Sequence, residues 1–166
     1  SGSYSVTVTD ENNCVGEDTT VVELASVLMP EITGQKFFCE GDFVTLATSQ
    51  NYSQYLWSDG STDSIFITET PGLYTVTVMD STGCPGVDSI EIFQNELPDF
   101  EIEGNLNICT GGSTALNVPP DFANYIWSNG WTATFIPVFE PGFYGITITD
   151  FNGCSNSDEV FVSQIE

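Results

Sequence analysis

The stretch GLYTVTVMDSTGC, from Gly72 to Cys84, recurs in this chain with the same order of residue types. GFYGITITDFNGC runs from Gly142 to Cys154, and GSYSVTVTDENNC runs from Gly2 to Cys14. Successive copies are 70 residues apart, and a constant period of this length is the signature of tandem structural repeats. In each copy an apolar residue occupies every second position, which predicts a β-strand with one buried face and one exposed face.

Other landmarks share the period, so it belongs to whole domains and not to one strand. Four further pairs are 70 residues apart: Cys39 and Cys109, Trp57 and Trp127, Gly60 and Gly130, and Pro71 and Pro141. We therefore interpret residues 1–24 as the last part of one repeat, so that the chain begins inside a domain. Residues 25–95 and 96–166 are interpreted as two complete repeats.

The local patterns within a repeat are those of short strands. In the second repeat we expect an entry segment at 31–38 and strands near 43–48, 55–58, 64–68, 73–80 and 87–93. Turns rich in Gly, Pro, Asp and Asn separate them, which predicts an all-β chain of small antiparallel sandwiches. Pro137 stands where the second repeat has Ile67. Because proline lacks a backbone donor, we expect its strand to lie at a sheet edge or to end early.

The charge of the chain limits its partners. Among 166 residues there are 24 acidic side chains against a single Lys36, giving a formal net charge of −23. Phosphate backbones and anionic membranes are bound by clusters of Lys and Arg, so nucleic acid and membrane surfaces are excluded as partners. No apolar run approaches the roughly 18 residues of a membrane span. Hydrophobic residues make up 40 %, enough for real cores.

The order of motifs in the second repeat resembles a known class of domain. FCEGDFVTL, YLWSDGSTDSIFI, PGLYTVTVMDSTGC and VDSIEIF follow one another and are similar to the immunoglobulin-like or PKD-like tandem repeats of large Bacteroidota surface proteins, including gliding-motility adhesins and surface filaments. The resemblance covers nearly the whole chain. It implies tandem immunoglobulin-like β-sandwiches at the cell surface, but it is not specific for a ligand.

The three tryptophans have two different expected roles. Trp57 and Trp127 lie in YLWSDG and YIWSNG, where similar sandwiches pack a tryptophan in the core. Trp131 follows the turn of the third repeat, where the second repeat has Ser61. We expect it outside the core, either packed locally on the turn or exposed as a contact residue for a sugar or a neighbouring chain.

Cysteine spacing allows two disulfide patterns. One pairs Cys39 with Cys84 and Cys109 with Cys154, within each repeat, and the other pairs Cys39 with Cys154, between repeats. In an immunoglobulin-like strand order Cys39 and Cys84 lie at opposite ends of a domain about 20 Å long, and bridged Cα atoms lie within about 7 Å. We favour the pairing between repeats. Free thiols and bridges between chains remain open.

Catalytic and metal-binding residues are sparse. With no His and no CxxC pair, the chain has neither a Ser-His-Asp arrangement nor a zinc motif, and we expect no enzyme. Calcium is the alternative, because Asp80 and Asp150 end strands beside turns and Asp88 and Asp158 lie just downstream of them. DSTG and DFNG are also ordinary tight-turn sequences, and turn chemistry is the favoured interpretation.

The resemblance also implies candidate glycosylation sites. Bacteroidota proteins are commonly O-glycosylated at Asp followed by Ser or Thr and a small or aliphatic residue. Matching positions in this chain are Thr19, Ser64, Ser81 and Ser89. Strand alternation places Ser89 on the opposite face of its strand from the apolar Ile90 and Ile92, so Ser89 is expected to face solvent.

These observations favour a structural segment of an extracellular adhesin or surface filament. Its partners are then neighbouring repeats of the same chain and other copies in a filament. The alternative is a module that binds a carbohydrate or a calcium-dependent ligand through Trp131 and the acidic loops.

Overall fold

The computed structural model describes residues 1–24 and 27–166. The predicted start of the second repeat, at residue 25, lies outside the described residues. By its contacts the chain divides into two compact units. The first comprises Ser1–Gly34, Leu46–Phe66 and Leu73–Ile90, and the second comprises Gln35–Thr45, Ile67–Gly72 and Glu91–Glu166.

All regular structure among the described residues is β. A two-stranded antiparallel sheet is formed by β1 (Gly2–Thr9) and β2 (Val15–Val22). Seven strands follow: β3 (Ile32–Thr33), β4 (Phe37–Cys39), β5 (Val44–Thr48), β6 (Gln54–Trp57), β7 (Ile65–Thr68), β8 (Gly72–Met79) and β9 (Pro85–Asn95). They form one sheet in the order β3-β5-β7 and another in the order β4-β9-β8-β6.

The same arrangement recurs in the last part of the chain. Its strands are β10 (Glu103–Gly104), β11 (Asn107–Cys109), β12 (Thr114–Asn117), β13 (Asn124–Trp127), β14 (Phe135–Val138), β15 (Gly142–Thr149) and β16 (Ser155–Ile165). They form sheets in the orders β10-β12-β14 and β11-β16-β15-β13. A three-stranded sheet and a four-stranded sheet, in which the last two strands β15 and β16 lie between β13 and β11, form the immunoglobulin-like arrangement. This confirms the predicted fold class.

The predicted entry segment is two strands, which belong to different sheets. Ile32 of β3 pairs with Thr48 of β5, whereas Phe37 of β4 pairs in parallel with Phe93 of β9. Gly34, at a φ of 145°, separates the two strands in a conformation that side chains disfavour. The chain therefore changes sheets at this glycine, and β4 ends at Cys39 beside the end of β9.

Alternation along the strands builds the cores as predicted. In the second unit the buried cluster is Ile108, Leu116, Val118, Tyr125, Trp127, Ile136, Val138, Ile146, Ile148 and Val162. Pro137 lies on β14, at the edge of its sheet, opposite Ala115. This confirms the expectation from its missing donor, because an edge strand has one side without ladder hydrogen bonds.

The β1–β2 hairpin differs from the two equivalent hairpins. Val6 and Val8 are 56 % and 62 % exposed, although the residues 70 positions later, Val76 and Val78, are fully buried. The register of the hairpin is regular, with Val6 opposite Asp18. The same strand pattern thus forms here without a buried apolar face.

Candidate functional site

The disulfide is the feature that links distant parts of the sequence. Cys39 is bonded to Cys154, with the two Cα atoms 5.5 Å apart and 115 residues between them in sequence. Both cysteines belong to the second compact unit. The bridge joins the predicted second repeat to the predicted third and confirms the pairing between repeats. Cys14, Cys84 and Cys109 are free thiols, so the pairing within repeats does not form.

The repeated phrase of the sequence presents the second cysteine of each repeat. Asp150 accepts hydrogen bonds through Oδ1 from the backbone N–H groups of Asn152 and Cys154, both at 2.8 Å. Gly153 takes a φ of 88°, which closes the turn between β15 and β16. Cys154 lies at the end of this turn, directly before β16, and is completely buried.

The same turn appears at the other copies. Asp80 accepts from the N–H groups of Thr82 and Cys84, at 2.8 and 3.0 Å, and Asp10 accepts from that of Cys14 at 2.8 Å. Each D-x-x-[GN]-C phrase therefore forms the same hydrogen-bonded turn, which fixes the backbone position of its cysteine.

The first cysteine of each repeat also has a fixed position. Cys39 ends β4, and its carbonyl accepts from the N–H of Asp42 at 2.9 Å. Cys109 ends β11 in the same way, and its carbonyl accepts from the N–H of Gly112 at 2.7 Å. Cys109 thus has the backbone setting of Cys39 but carries a free, exposed thiol.

The proposed calcium ligands take part in backbone structure. Asp80 and Asp150 accept turn hydrogen bonds, and Asp88 accepts from the N–H of Ile32 at 2.7 Å. Asp158 accepts from the N–H of Glu159 at 2.8 Å. Over residues 1–24 and 27–166 no group of three or more His, Cys, Asp or Glu side chains is placed to hold a metal ion. The turn interpretation accounts for Asp80 and Asp150.

Hydrogen bonding favours the ionised form of two turn carboxylates. The Thr82 hydroxyl, followed by the Cys84 N–H, lowers the pKa of Asp80 below its ordinary value of 3.8. The backbone N–H of Ser61, followed by its hydroxyl, lowers the pKa of Asp59 in the turn after β6. Both carboxylates act as charged caps of tight turns.

The tryptophans occupy the two settings expected from the sequence. Trp57 and Trp127 are 2 % and 1 % exposed, and each indole N–H donates to a backbone carbonyl, of Asp63 and Ala133, at 2.9 Å. Trp131 is 50 % exposed, and its carbonyl accepts from the N–H of Trp127 at 2.8 Å. Its backbone belongs to the turn while half of its side chain stays available for contact.

The glycosylation candidates are all accessible. All four candidate side chains are exposed: Thr19, Ser64, Ser81 and Ser89. Ser89 lies on β9 beside the buried Ile90, as strand alternation predicts.

Residues on the outer face of β15 and β16 were not among the sequence-based candidates. Gly145 lies in the middle of β15, opposite Glu159 of β16, and lines an open depression of about 560 Å³. Phe143 and Phe161 form the neighbouring cross-strand pair, two residues from Gly145 and Glu159, with ring centroids 4.8 Å apart. A comparison of the two repeats within the sequence could have found this position, because Gly145 stands where the second repeat has Thr75.

The four-stranded and three-stranded sheets define a tandem immunoglobulin-like β-sandwich protein. No protein-family model matches the chain, and no curated protein matches it. Among solved structures, it is similar to a 1.5-MDa bacterial ice-binding adhesin, with a TM-score of 0.47, 13 % identity, and coverage of 98 % of this chain and 73 % of that one.

Two further solved structures show the same kind of likeness. A C-terminal 282-residue fragment of intimin, in complex with the intimin-binding domain of the translocated intimin receptor, gives a TM-score of 0.42 and 11 % identity over 84 % of this chain and 64 % of that one. The insect immune protein hemolin gives 0.37 and 16 % over 98 % and 56 %. The fold assignment rests on the strand order described above. Among residues 1–24 and 27–166 no helix is both long and apolar enough to cross a membrane.

Proposed function

We propose that this chain is a structural segment of an extracellular adhesin or surface filament, in which tandem repeats provide reach and disulfides between repeats provide stiffness. The observation that carries the proposal is the Cys39–Cys154 bridge. A bond from one repeat to the next restrains the junction and not a single module. Disulfides also persist mainly in oxidising, extracellular compartments.

Two further observations support a restrained junction. Gln35–Thr45 and Ile67–Gly72, which belong to the predicted second repeat, fall in one compact unit with Glu91–Glu166, which spans the end of the second repeat and the whole predicted third. In addition, both kinds of cysteine position, the D-x-x-[GN]-C turn and the strand end at Cys39 and Cys109, recur with the 70-residue period. An array of identical junctions requires such a recurrence. The proposal keeps the repeats at 1–24, 25–95 and 96–166, and takes neighbouring repeats and other copies of the chain as the partners.

The setting follows from the resemblance to Bacteroidota tandem repeats of the immunoglobulin-like or PKD-like type. A non-enzymatic role at the cell surface is part of the same proposal. So is O-glycosylation at one or more of the four exposed candidates: Thr19, Ser64, Ser81 and Ser89.

Stiffness can be tested by ¹⁵N relaxation on the oxidised 166-residue chain. We expect residues 30–95 and 96–166 to tumble with one shared rotational correlation time. The double variant Cys39→Ser, Cys154→Ser should give two shorter, separate times, whereas the control Cys84→Ser, which leaves the bridge intact, should behave as the wild type. Independent tumbling in the oxidised wild type would contradict the stiffening role.

A second candidate function is a carbohydrate contact through Trp131, and its half-exposed side chain favours it. Exposed indoles stack on sugars and anchor interfaces. A glycan array on the full chain tests this function. Reproducible binding that Trp131→Ala abolishes, and that Trp131→Phe partly retains, would support it. Binding that is unchanged in Trp131→Ala would exclude that residue as the contact.

A further inference from the structure

The outer face of β15 and β16 contains a glycine that the fold does not require. Gly145 pairs with Glu159 in a regular ladder and is not one of the glycines with positive φ. A Cβ atom built on it would lie 3.5 Å from the carbonyl oxygen of Asp158, which is ordinary van der Waals contact. Glycine weakens a strand interior, and it often marks a place where a ligand or another backbone approaches closely.

The carboxylate of Glu159 lies next to the space that a side chain at Gly145 would occupy. Glu159 Oε2 lies 3.6 Å from the Cβ position at Gly145. Within the part of the chain that the structure describes, this carboxylate accepts no hydrogen bond and forms no ion pair. The only basic side chain of the sequence is Lys36. Among the described residues Lys36 forms no ion pair, so Glu159 is free to pair with a cation of another molecule.

An exposed aromatic pair lies next to the carboxylate. Phe143 and Phe161 are 67 % and 50 % exposed, and their rings are tilted by 57°. Residues two apart on a strand point to the same face and are separated by roughly 7 Å. Phe143 therefore flanks Gly145, and Phe161 flanks Glu159, on one surface. We call these four residues the Gly145 face.

The second repeat has different residues at all four equivalent positions, and its own exposed aromatic pair is Phe37 and Phe93, with ring centroids 5.4 Å apart. Phe143, Gly145, Glu159 and Phe161 correspond to Leu73, Thr75, Ser89 and Glu91. The second repeat folds into the same sheet order with these residues. Folding alone therefore does not explain the aromatic pair, the glycine or the placement of the carboxylate.

We propose that the Gly145 face binds an arginine side chain presented by a partner protein. A guanidinium group stacks on aromatic rings and forms paired hydrogen bonds with a carboxylate, and the depression at Gly145 gives its long stem room to approach. The net charge of −23 draws cationic partners towards the chain, while the aromatic pair and Glu159 select the position. This site is independent of the stiffening role of the disulfide.

The probe for this site is N-acetyl-arginine amide, titrated into the full ¹⁵N-labelled chain and followed by amide chemical shifts. We expect saturable shifts at residues 143, 145, 159 and 161, with a dissociation constant in the millimolar range. The neutral isostere N-acetyl-citrulline amide should produce none. The equivalent amides of the second repeat, at residues 73, 75, 89 and 91, should not move.

Variants taken from the second repeat supply the controls. Glu159→Gln and Gly145→Thr should each weaken binding at least about fivefold. Glu91→Gln removes the same charge from the second repeat and should leave the affinity unchanged.

Three results would overturn the proposal. One is equal shifts in both repeats, which would show unspecific attraction to an acidic chain. Another is an affinity that survives Glu159→Gln. The third is a response to citrulline equal to that with arginine, which would show that the charge is not recognised.

Discussion

At the scale of single residues, the two core tryptophans satisfy both demands of a buried indole. The ring of Trp57 packs against Phe66, with centroids 5.0 Å apart, and its N–H reaches the carbonyl of Asp63. Trp127 repeats the polar contact with Ala133. Both roles follow from YLWSDG and YIWSNG, because the alternating strand places the indole inward and the following loop supplies the carbonyl. Burial and polar satisfaction together make these residues important for stability.

Truncating the tryptophans should separate the two classes of position. Trp57→Ala and Trp127→Ala should each lower the free energy of unfolding by about 3 to 5 kcal/mol, because both leave a large cavity. Trp131→Ala should cost much less, since half of that side chain is exposed. Urea unfolding of the three variants measures this difference. Equal losses at all three positions would remove the case for Trp131 as a contact residue.

The turn carboxylate Asp80 should make stability depend on acid pH. Its pKa in the folded state lies below the ordinary 3.8, so its ionised form stabilises the fold above that pH. The contribution is lost as pH falls through the lower, folded pKa. Asp80→Asn should therefore be less stable than the wild type near neutral pH, and the difference should shrink below pH 3.8.

Urea unfolding between pH 2 and 7 gives this difference directly. Thr82→Val removes the hydroxyl donor but keeps the carboxylate, and should reduce the pH dependence without abolishing it. A wild type and an Asp80→Asn variant that differ by the same amount at every pH would contradict the charged-cap interpretation.

At the scale of elements, strand existence was predictable and strand partnership was only partly so. Alternation located β5 to β9 within a few residues, since side-chain period is local information. The split of the entry segment into β3 and β4 was not predicted, because the sheet that each joins depends on distant partners, Thr48 and Phe93. The Gly145 face was missed for a similar reason. Its four residues come together only through the pairing of β15 with β16.

The three copies of the repeated hairpin should differ in amide exchange. Val6 and Val8 of β1 are exposed, whereas Val76 and Val78 of β8 are buried, and an isolated two-stranded hairpin is marginal in water. Amides in Tyr4–Val22 should therefore exchange close to the unfolded rate, while those of β8 and β15 are strongly protected. Hydrogen exchange on the monomeric chain measures all three. Protection throughout Tyr4–Val22 would show that the hairpin is stable without a buried face.

At the scale of the whole molecule, the disulfide is the observation on which the proposed stiffening role rests. The spacing of the cysteines was compatible with bridges within repeats or between them, because sequence does not record which ends of two domains meet. An immunoglobulin-like strand order favoured the second pattern, and Cys39 bonds to Cys154. Cys84 and Cys109 have the same backbone positions in their repeat as the bonded Cys154 and Cys39, but they carry free thiols. We expect the same bond to recur wherever two such repeats adjoin.

The most direct test is peptide mapping of the oxidised protein without reduction. With a single Lys36 in the chain, the digestion needs a protease specific for acidic residues. We expect one cross-linked pair of peptides, containing Cys39 and Cys154, which separates on reduction. Cross-links from Cys39 to Cys84 and from Cys109 to Cys154 would contradict this pairing and would leave each repeat bridged internally, with nothing covalent to stiffen the junction.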